Sequence, residues 1–249
     1  MPLPAKAFQR WLQGIAPDVS TADICRVSGI KRTTLAQQLV RGKVAEATVV
    51  AVSRAYGMNP LEALAEFDTY GALAGPLEPP THGELISQVS TPDLLRAVLA
   101  RGIGNATETA GPRGMAAPPS LTPAPHATSV RNWVDAVDDG ELRHRVSAAT
   151  GVAPQNFSAQ LTANRLTPEL ALATSLAAGV GPAGGLVAAG LVTEAEAGWP
   201  PDARQAALDA MSDGDLTALA GERLQALGKV LRRQEHDAAQ TEQIWENLG

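Results

Sequence analysis

Residues 20–43 read STADICRVSGIKRTTLAQQLVRGK, and this stretch decides the fold. Ser20 is a favourable residue before the first turn of a helix, and Asp23 stands where a capping-box acid would. Gly29 supplies the left-handed conformation in which helices commonly end. A second helix is expected over about residues 32–40. The stretch, which we name the first motif, therefore predicts two helices joined by a tight turn.

Helix-forming patterns continue on both sides of the first motif. Alanine is abundant and aromatic residues make up only 4% of the chain, a composition that favours helices over sheets. Apolar periodicity and capping residues predict helices over 5–14, 46–56 and 61–67, and helical pairs at 82–89 with 91–101 and at 202–211 with 213–234. The expected fold class is all-α.

The chain also repeats itself. Residues 8–101 recur at 130–223 with one constant offset of 122 and no gap, so that Trp11 returns as Trp133. The matches include glycines, prolines and serines that punctuate helices, and Ala-rich sequence does not produce so many of these by chance in one register. Residues 142–165, LRHRVSAATGVAPQNFSAQLTANR, correspond to the first motif and are named the second motif. The sequence thus predicts two tandem helix-turn-helix domains.

The first motif resembles the helix-turn-helix of the lambda-repressor and Cro class. The resemblance rests on the spacing Ile24-Cys25-x-x-x-Gly29-Ile30-x-x-x-x-Leu35 and on the loop Arg41-Gly42-Lys43. In one departure, the second helix is about one residue longer, which places polar Gln38 where an apolar residue is usual. The resemblance implies that this second helix enters the major groove of double-stranded DNA while the first lies across the backbone.

Helical geometry selects the candidate DNA contacts of the first motif. With Leu35 and Leu39 inward, the outward positions are Thr33, Thr34, Gln37 and Arg41, with Gln38 on the flank. Glutamine can read adenine, and threonine can contact a thymine methyl group or a phosphate. Phosphate contacts are expected from Lys31, Arg32, Arg41 and Lys43. The alternative is a solvated polar helix in a protein-binding domain.

The second motif keeps the packing pattern but changes the outer face. Its candidate DNA contacts are Gln155, Asn156, Gln160 and Arg165. Residues 130–186 hold four basic and five acidic residues, a net charge of −1. Because phosphate neutralisation supplies most non-specific affinity, this copy is expected to bind DNA weakly on its own. It either reads a different sequence when tethered or contacts a protein.

Charge is segregated along the chain, which has a net charge of −6. Residues 1–60 hold eight basic and three acidic residues, a net charge of +5. Residues 187–249 hold five basic and eleven acidic residues, a net charge of −6. A basic beginning and an acidic end indicate a polyanionic partner for the first domain.

Five segments are expected from these patterns. They are a first helix-turn-helix domain at 1–75, a helical pair packed on it at 76–101, a flexible linker at 102–128, a second domain at 129–192, and a helical pair with an acidic tail at 193–249. A linker of this composition spans roughly 25–30 Å, close to the ~34 Å of one DNA turn. The helical pairs either cover the preceding domain or form a face for a homodimer or another protein.

Other functional classes leave no pattern in the sequence. The lone Cys25 excludes an intramolecular disulfide and fits a reducing cytosol. Residues 1–11 lack the apolar core of a signal peptide, and the uncharged stretch 170–192 is broken by Gly179-Val180-Gly181-Pro182, so no membrane span is expected. The four histidines are scattered, and no catalytic residue, cofactor or metal site is expected. We expect a cytoplasmic protein that is not an enzyme.

Two different readers on one chain predict an asymmetric bipartite DNA site without a palindrome. This layout resembles the immunity repressors of actinobacterial temperate phages such as mycobacteriophages, and the Ala- and Arg-rich composition suits a genome of high GC content. The resemblance implies transcriptional repression by occlusion of an operator. Two alternatives stay open: a dimeric chromosomal regulator or nucleoid silencer, and an adaptor with one DNA-binding and one protein-binding domain.

Overall fold

The computed structural model describes the backbone of residues 2–107 and 120–248, and the side chains of residues 2–102 and 120–240. Apart from one short strand pair, the regular elements in these ranges are helices, which confirms the predicted all-α fold class. The first half contains α1 Ala5–Ile15, α2 Thr21–Ser28, α3 Arg32–Val40, α4 Glu46–Ala55, α5 Pro60–Ala65, a 3-10 helix Asp68–Leu73, α6 His82–Ser87 and α7 Thr91–Thr107. The second half contains α8 Ser129–Val137, α9 Leu142–Thr150, α10 Pro154–Thr162, α11 Pro168–Ala178, α12 Gly184–Ala188, α13 Ala203–Asp209 and α14 Asp213–Leu248.

The two helices of the first motif begin and end for local reasons. Ser20 Oγ accepts a hydrogen bond from Asp23 N at 3.1 Å and so caps α2. Gly29 ends this helix in the left-handed region at a φ of 70°. Ile24 and Leu35 are buried on the inner faces of α2 and α3. The helix, turn and helix predicted for residues 20–43 are therefore present.

A short strand pair joins the start of the chain to the end of the first motif. β1 Leu3–Pro4 pairs antiparallel with β2 Lys43–Val44, and both Leu3 and Val44 are fully buried. The pair fixes the loop after α3 against the beginning of α1. The sequence does not predict it, because two residues are too few to show the alternation that identifies a strand.

Equivalent elements in the two halves fall at the sequence offset. α3 and α10 are 122 residues apart at both ends. Left-handed backbone recurs at the same spacing: Gly29 and Gly151 both have a φ of 70°, and Gly42 at 70° corresponds to Asn164 at 49°. These agreements concern local structure, and the tandem repeat of whole domains stays a prediction.

The described chain forms two compact units that cut across the predicted segments. Unit 1 comprises Met1–Gln88 and Pro123–Arg204, and unit 2 comprises Val89–Thr122 and Gln205–Gly249. Both motifs therefore lie in unit 1. The predicted helical pair at 76–101 is divided between the units, since α6 belongs to unit 1 and α7 to unit 2.

The segment predicted as a flexible linker, 102–128, has ordered ends. Its backbone is helical as far as Thr107, and residues 123–128 belong to unit 1. There His126 Nε2 lies 3.1 Å from Ser87 O. The predicted linker between these ends, residues 108–119, lies outside the described residues.

Unit 1 has one apolar core to which both halves contribute. Phe8 and Leu35 from the first half and Trp133 and Phe157 from the second are each at most 1% exposed. Burying an apolar side chain of this size is worth about 1.5–3 kcal/mol. Neither half keeps its full core without the other.

The halves meet closely where α6 packs against α8. Trp133 Nε1 on α8 donates a hydrogen bond to Glu84 Oε1 on α6 at 3.2 Å, and Thr81 N donates to the other carboxylate oxygen at 2.9 Å. A Cβ at Gly184 would collide with the Glu84 carboxylate, and one at Gly185 would lie 2.9 Å from Trp133 Cη2. The absence of side chains on both glycines allows this close approach.

A second link between the halves is an ion pair. Arg54 on α4 donates through Nε and Nη2 to the two carboxylate oxygens of Glu196 at 2.6 and 2.7 Å. Asn59 Nδ2 donates to Glu196 O at 3.0 Å. The Arg54 hydrogen bonds, helped by those from Thr193, lower the pKa of Glu196 from 4.5 to about 2.

Unit 2 is built on the packing of α7 against α14. Both helices begin with the same device: Ser90 Oγ donates to Asp93, and Ser212 Oγ donates to Asp215, each at 2.7 Å. α14 is longer than predicted, because it continues beyond residue 234 to Leu248.

The uncharged stretch at 170–192 forms parts of two short helices, α11 and α12, as its glycine and proline break predicts. Gly179 ends α11 at a φ of 69°. Among the described helices, none combines the length and the apolarity needed to cross a bilayer.

Gly185→Ala is expected to lower the free energy of unfolding by about 1–3 kcal/mol, because the new methyl group would strike Ala171 O and Trp133. Gly14→Ala on α1 is the matched control, since no atom lies within 4 Å of a Cβ there. That change should be neutral or stabilise the protein by up to about 1 kcal/mol. Chemical denaturation of both variants checks this, and equal effects would contradict the close packing.

The Glu196 ion pair predicts a pH-dependent term in stability. The folded pKa of about 2 lies below the unfolded value of 4.5, so the term is fully present above pH 4.5 and is lost as the pH falls towards 2. Because Arg54 is 45% exposed, screening by solvent reduces the contribution of the ion pair to the free energy of unfolding to about 1–2 kcal/mol. Glu196→Gln should cost this amount near pH 7 and much less near pH 2.5. Glu222→Gln, at an exposed glutamate on α14, is the matched control, and an equal loss of stability in both variants at pH 7 would contradict the contribution of the ion pair.

Candidate nucleic-acid interface

The outer face of α3 carries most of the predicted base contacts. Arg32, Thr33, Thr34 and Gln37 are all exposed, while Leu35 between them is fully buried. The inward leucine anchors the helix on the core, so the polar side chains project away from it. The structure therefore exposes Thr33, Thr34 and Gln37 on the outer side of α3, as the sequence predicts, with Arg32, a predicted phosphate contact, beside them.

Gln38 has a structural role that the sequence does not reveal. Its side-chain Oε1 accepts hydrogen bonds from Ala45 N at 3.2 Å and from Thr48 Oγ1 at 2.9 Å. Ala45 is the residue before α4, so Gln38 holds the start of α4 against α3. Bidentate reading of adenine needs both the oxygen and the nitrogen of the amide. The oxygen of the half-buried Gln38 is already hydrogen-bonded within the protein, so this side chain is not free to read adenine in this way. The side chain of Gln37 is exposed.

Four cations surround the exposed face of α3. Lys31 and Arg32 stand at the start of the helix, and Arg41 and Lys43 lie in the loop at its end. All four are exposed, and none forms an ion pair with a carboxylate of the described residues. Their charge is therefore available to an anion from outside the chain.

Arg26 on α2 shows the contrasting, paired case. Its Nη2 lies 3.1 Å from Asp23 Oδ1, and the Ser20 hydroxyl together with this guanidinium lowers the pKa of Asp23. This arginine is partly neutralised by its own helix. Arg32 also acts on the Asp23 carboxylate through its charge, but at longer range, and neither it nor Lys31, Arg41 or Lys43 forms an ion pair with a carboxylate of the described residues. The backbone of Lys43 is also fixed in place, because this residue belongs to β2.

Val40 is an exposed apolar residue on the same face that the sequence pattern does not select. Its side chain is 89% exposed at the end of α3, beside Arg41. A large apolar side chain in that position can contact the methyl group of thymine. The signal available in the sequence is the pair Leu39-Val40, of which a helix can turn only one inward.

In the second motif, the outer face is polar but less charged. Gln155 and Asn156 are exposed at the start of α10, and Arg165 is exposed after its end. Gln160 repeats the role of Gln38, because its Oε1 accepts a hydrogen bond from Thr167 N, the residue before α11, at 3.1 Å. Of the predicted contacts in this motif, Gln155, Asn156 and Arg165 have no such structural role among the described residues.

Three arginines near the second motif are paired with acidic residues. Arg131 lies 3.8 Å from Asp135, Arg143 lies 4.0 Å from Asp138, and Arg145 lies 2.9 Å from Asp139. The Arg145 hydrogen bond lowers the pKa of Asp139, and Arg145 Nε also donates to Ala177 O at 2.9 Å. These pairs leave less positive charge for a polyanion than the surface of the first motif does.

Within the part of the chain that the structure describes, no group of three or more His, Cys, Asp and Glu residues could hold a metal ion. Cys25 lies on the inner side of α2 and is buried against the core, where it packs as a small apolar residue.

Compared with known proteins, the chain matches no family model, no curated protein and no solved structure.

Gln38→Ala and Gln37→Ala should separate a positioning residue from a surface residue. Removal of the two bonds to the start of α4 should lower the free energy of unfolding by about 1–2 kcal/mol. The neighbouring Gln37→Ala should change it by less than about 0.5 kcal/mol, because that side chain is exposed. Urea denaturation of the two variants is the measurement. A Gln38→Ala variant as stable as the Gln37→Ala variant would contradict the role of Gln38.

Proposed function

We propose that this chain is a sequence-specific, double-stranded DNA-binding transcriptional repressor whose two motifs recognise an asymmetric bipartite site. The observation that carries the proposal is the outer face of α3, where Thr33 and Gln37 lie exposed among four cations that pair with no carboxylate of the described residues. Side chains of this kind read base edges in the major groove, and the cations contact the flanking phosphates. Val40 adds an apolar contact for a thymine.

The two motifs contribute unequally in this proposal. The first supplies most of the affinity, because its cations are available to neutralise phosphates. The second supplies sequence information through Gln155 and Asn156, while its neighbouring arginines are largely engaged by acidic residues. Two different readers on one chain require a site without two-fold symmetry.

The mode of action follows from binding alone. A protein seated on an operator excludes RNA polymerase, so no catalytic residue or cofactor is required. The resemblance of the layout to immunity repressors of actinobacterial temperate phages implies a role in phage immunity and lysogeny, in the bacterial cytoplasm. We therefore propose a repressor of this kind.

A second candidate function is favoured by the ion pairs around the second motif. In an adaptor, the first motif alone would bind DNA and the second would contact a protein. The three arginine–aspartate pairs support this alternative, since a surface that neutralises itself is less suited to phosphates than to a polar protein partner.

Selection from a random DNA library with the purified full-length chain tests both candidates. An asymmetric motif in two blocks is expected, and Gln155→Ala with Asn156→Ala should weaken binding by about 1–3 kcal/mol for each base that these side chains read. A single block that is unaffected by this double change would favour the adaptor. Failure to select any sequence would contradict sequence-specific DNA binding.

Salt dependence provides the matched test of the first motif. Arg41→Ala should weaken binding and reduce the slope of affinity against salt by about one. Arg233→Ala on α14, where the guanidinium lies 3.9 Å from Asp237, is the control and should leave the slope unchanged. Equal slopes for the wild type and Arg41→Ala would remove Arg41 from the interface.

A further inference from the structure

We infer that the two motifs read DNA as one rigid body, held at a single separation by a clasp formed by Arg54, Asn59, Leu191 and Glu196. This inference rests on the proposed function and adds a determinant of specificity to it. The clasp makes the distance between the two blocks of the DNA site a property that the protein selects, in addition to the base sequence of each block.

All three oxygen atoms of Glu196 accept hydrogen bonds in the clasp. The two carboxylate oxygens receive Arg54 Nε and Nη2 at 2.6 and 2.7 Å, and the main-chain oxygen receives Asn59 Nδ2 at 3.0 Å. Arg54 Nη2 also donates to Leu191 O at 3.3 Å. A bidentate pair with two further bonds fixes orientation as well as distance.

Glu196 is held in place on its own side before Arg54 reaches it. Thr193 N donates to Glu196 Oε2 at 2.7 Å, and Glu196 N donates to Thr193 Oγ1 at 3.2 Å. This reciprocal pair orders the turn after α12, so that the carboxylate is presented to Arg54 without rearrangement. Preorganisation of this kind reduces the entropy lost when the halves pack.

A continuous series of contacts connects the two reading helices through the clasp. Gln38 joins α3 to the start of α4, and Arg54 near the end of α4 joins it to Glu196. The same arginine donates to Leu191 O, Leu191 N donates to Leu186 O of α12 at 2.9 Å, and α12 packs against α11. Gln160 then joins the start of α11 to α10. Each step is a packed helix or a hydrogen bond, so α3 and α10 have one relative position.

The sequence repeat does not supply these contacts. At the offset of 122, Arg54 corresponds to Leu176 and Glu196 corresponds to Ala74. Each partner therefore occurs in one copy only, and a second, symmetry-related clasp cannot form. The contact is specific to this pairing of unlike halves, as an asymmetric reader requires.

A rigid reader and a tethered reader differ in their tolerance of spacing. A flexible tether loses affinity gradually as its two sites move apart, because only the effective concentration changes. A rigid body must strain itself or release one block when base pairs are added. Residues inserted into the predicted linker, between residues 108 and 119, then have no influence on the preferred spacing.

The test measures affinity for duplexes that contain both selected blocks, with the spacer changed one base pair at a time. The wild type should bind best at one spacing and roughly tenfold or more weaker when two or three base pairs are added. Arg54→Leu, which introduces the residue of the other copy, should bind the best duplex less tightly and should broaden the profile. Glu196→Gln, which keeps the shape and part of the hydrogen bonding, should fall between the two.

A chain with six Gly and Ser residues inserted between residues 112 and 113 is the control. Its spacing profile should match that of the wild type. A flat profile for the wild type, a profile broadened by the insertion, or an unchanged profile in folded Arg54→Leu and Glu196→Gln would each overturn the clasp. Binding of both blocks with a flat profile would refute this inference alone, whereas absence of any selected DNA site would refute the proposed function and the inference together.

Discussion

The apolar core shared by the two halves of unit 1 is the constraint on which the rest of the structure depends. Trp133 of the second half donates to buried Glu84 of the first, and the side-chain-free Gly184 and Gly185 let this junction close. Without the tryptophan, Oε1 of this buried carboxylate would lose its hydrogen bond, which is costly, so the pair ties the two halves together. Because the halves complete one another, the helices that carry the two motifs are fixed in one framework.

This framework explains how two motifs with unequal surface charge can act together. Around α3 the cations are open, whereas near α10 the arginines are engaged by aspartates such as Asp139. A weak reader gains most from being held in place, because the rotational and translational cost of its binding has been met by the stronger one. In the proposed function, the first motif therefore provides affinity and the shared core allows the second to contribute discrimination.

The local structure can be predicted from the sequence, whereas the packing of the halves cannot. Ser20 and Gly29 mark helix ends through bonds within a few residues, so the sequence predicts α2 and α3 closely. The Ala-, Gly- and Pro-rich segment 102–128 is predicted to be a tether because it has no apolar period. That composition does not indicate that Trp133 and Glu84, which are 49 residues apart in the chain, form a hydrogen bond in the folded protein. The sequence predicts that Gln38 contacts DNA. Its position on the flank of α3 does not reveal that its side chain instead accepts a hydrogen bond from Ala45 N.

The distance between α3 and α10 in solution tests the shared framework most directly. Nitroxide labels at Ala36→Cys and Ala159→Cys, both exposed positions, can be introduced in a chain in which buried Cys25 is replaced by alanine. Pulsed dipolar spectroscopy of the full-length protein without DNA should give one narrow distance distribution, unchanged by insertion of residues between 112 and 113. A broad distribution that widens further with the insertion would show that the two motifs move independently, and it would contradict the shared core.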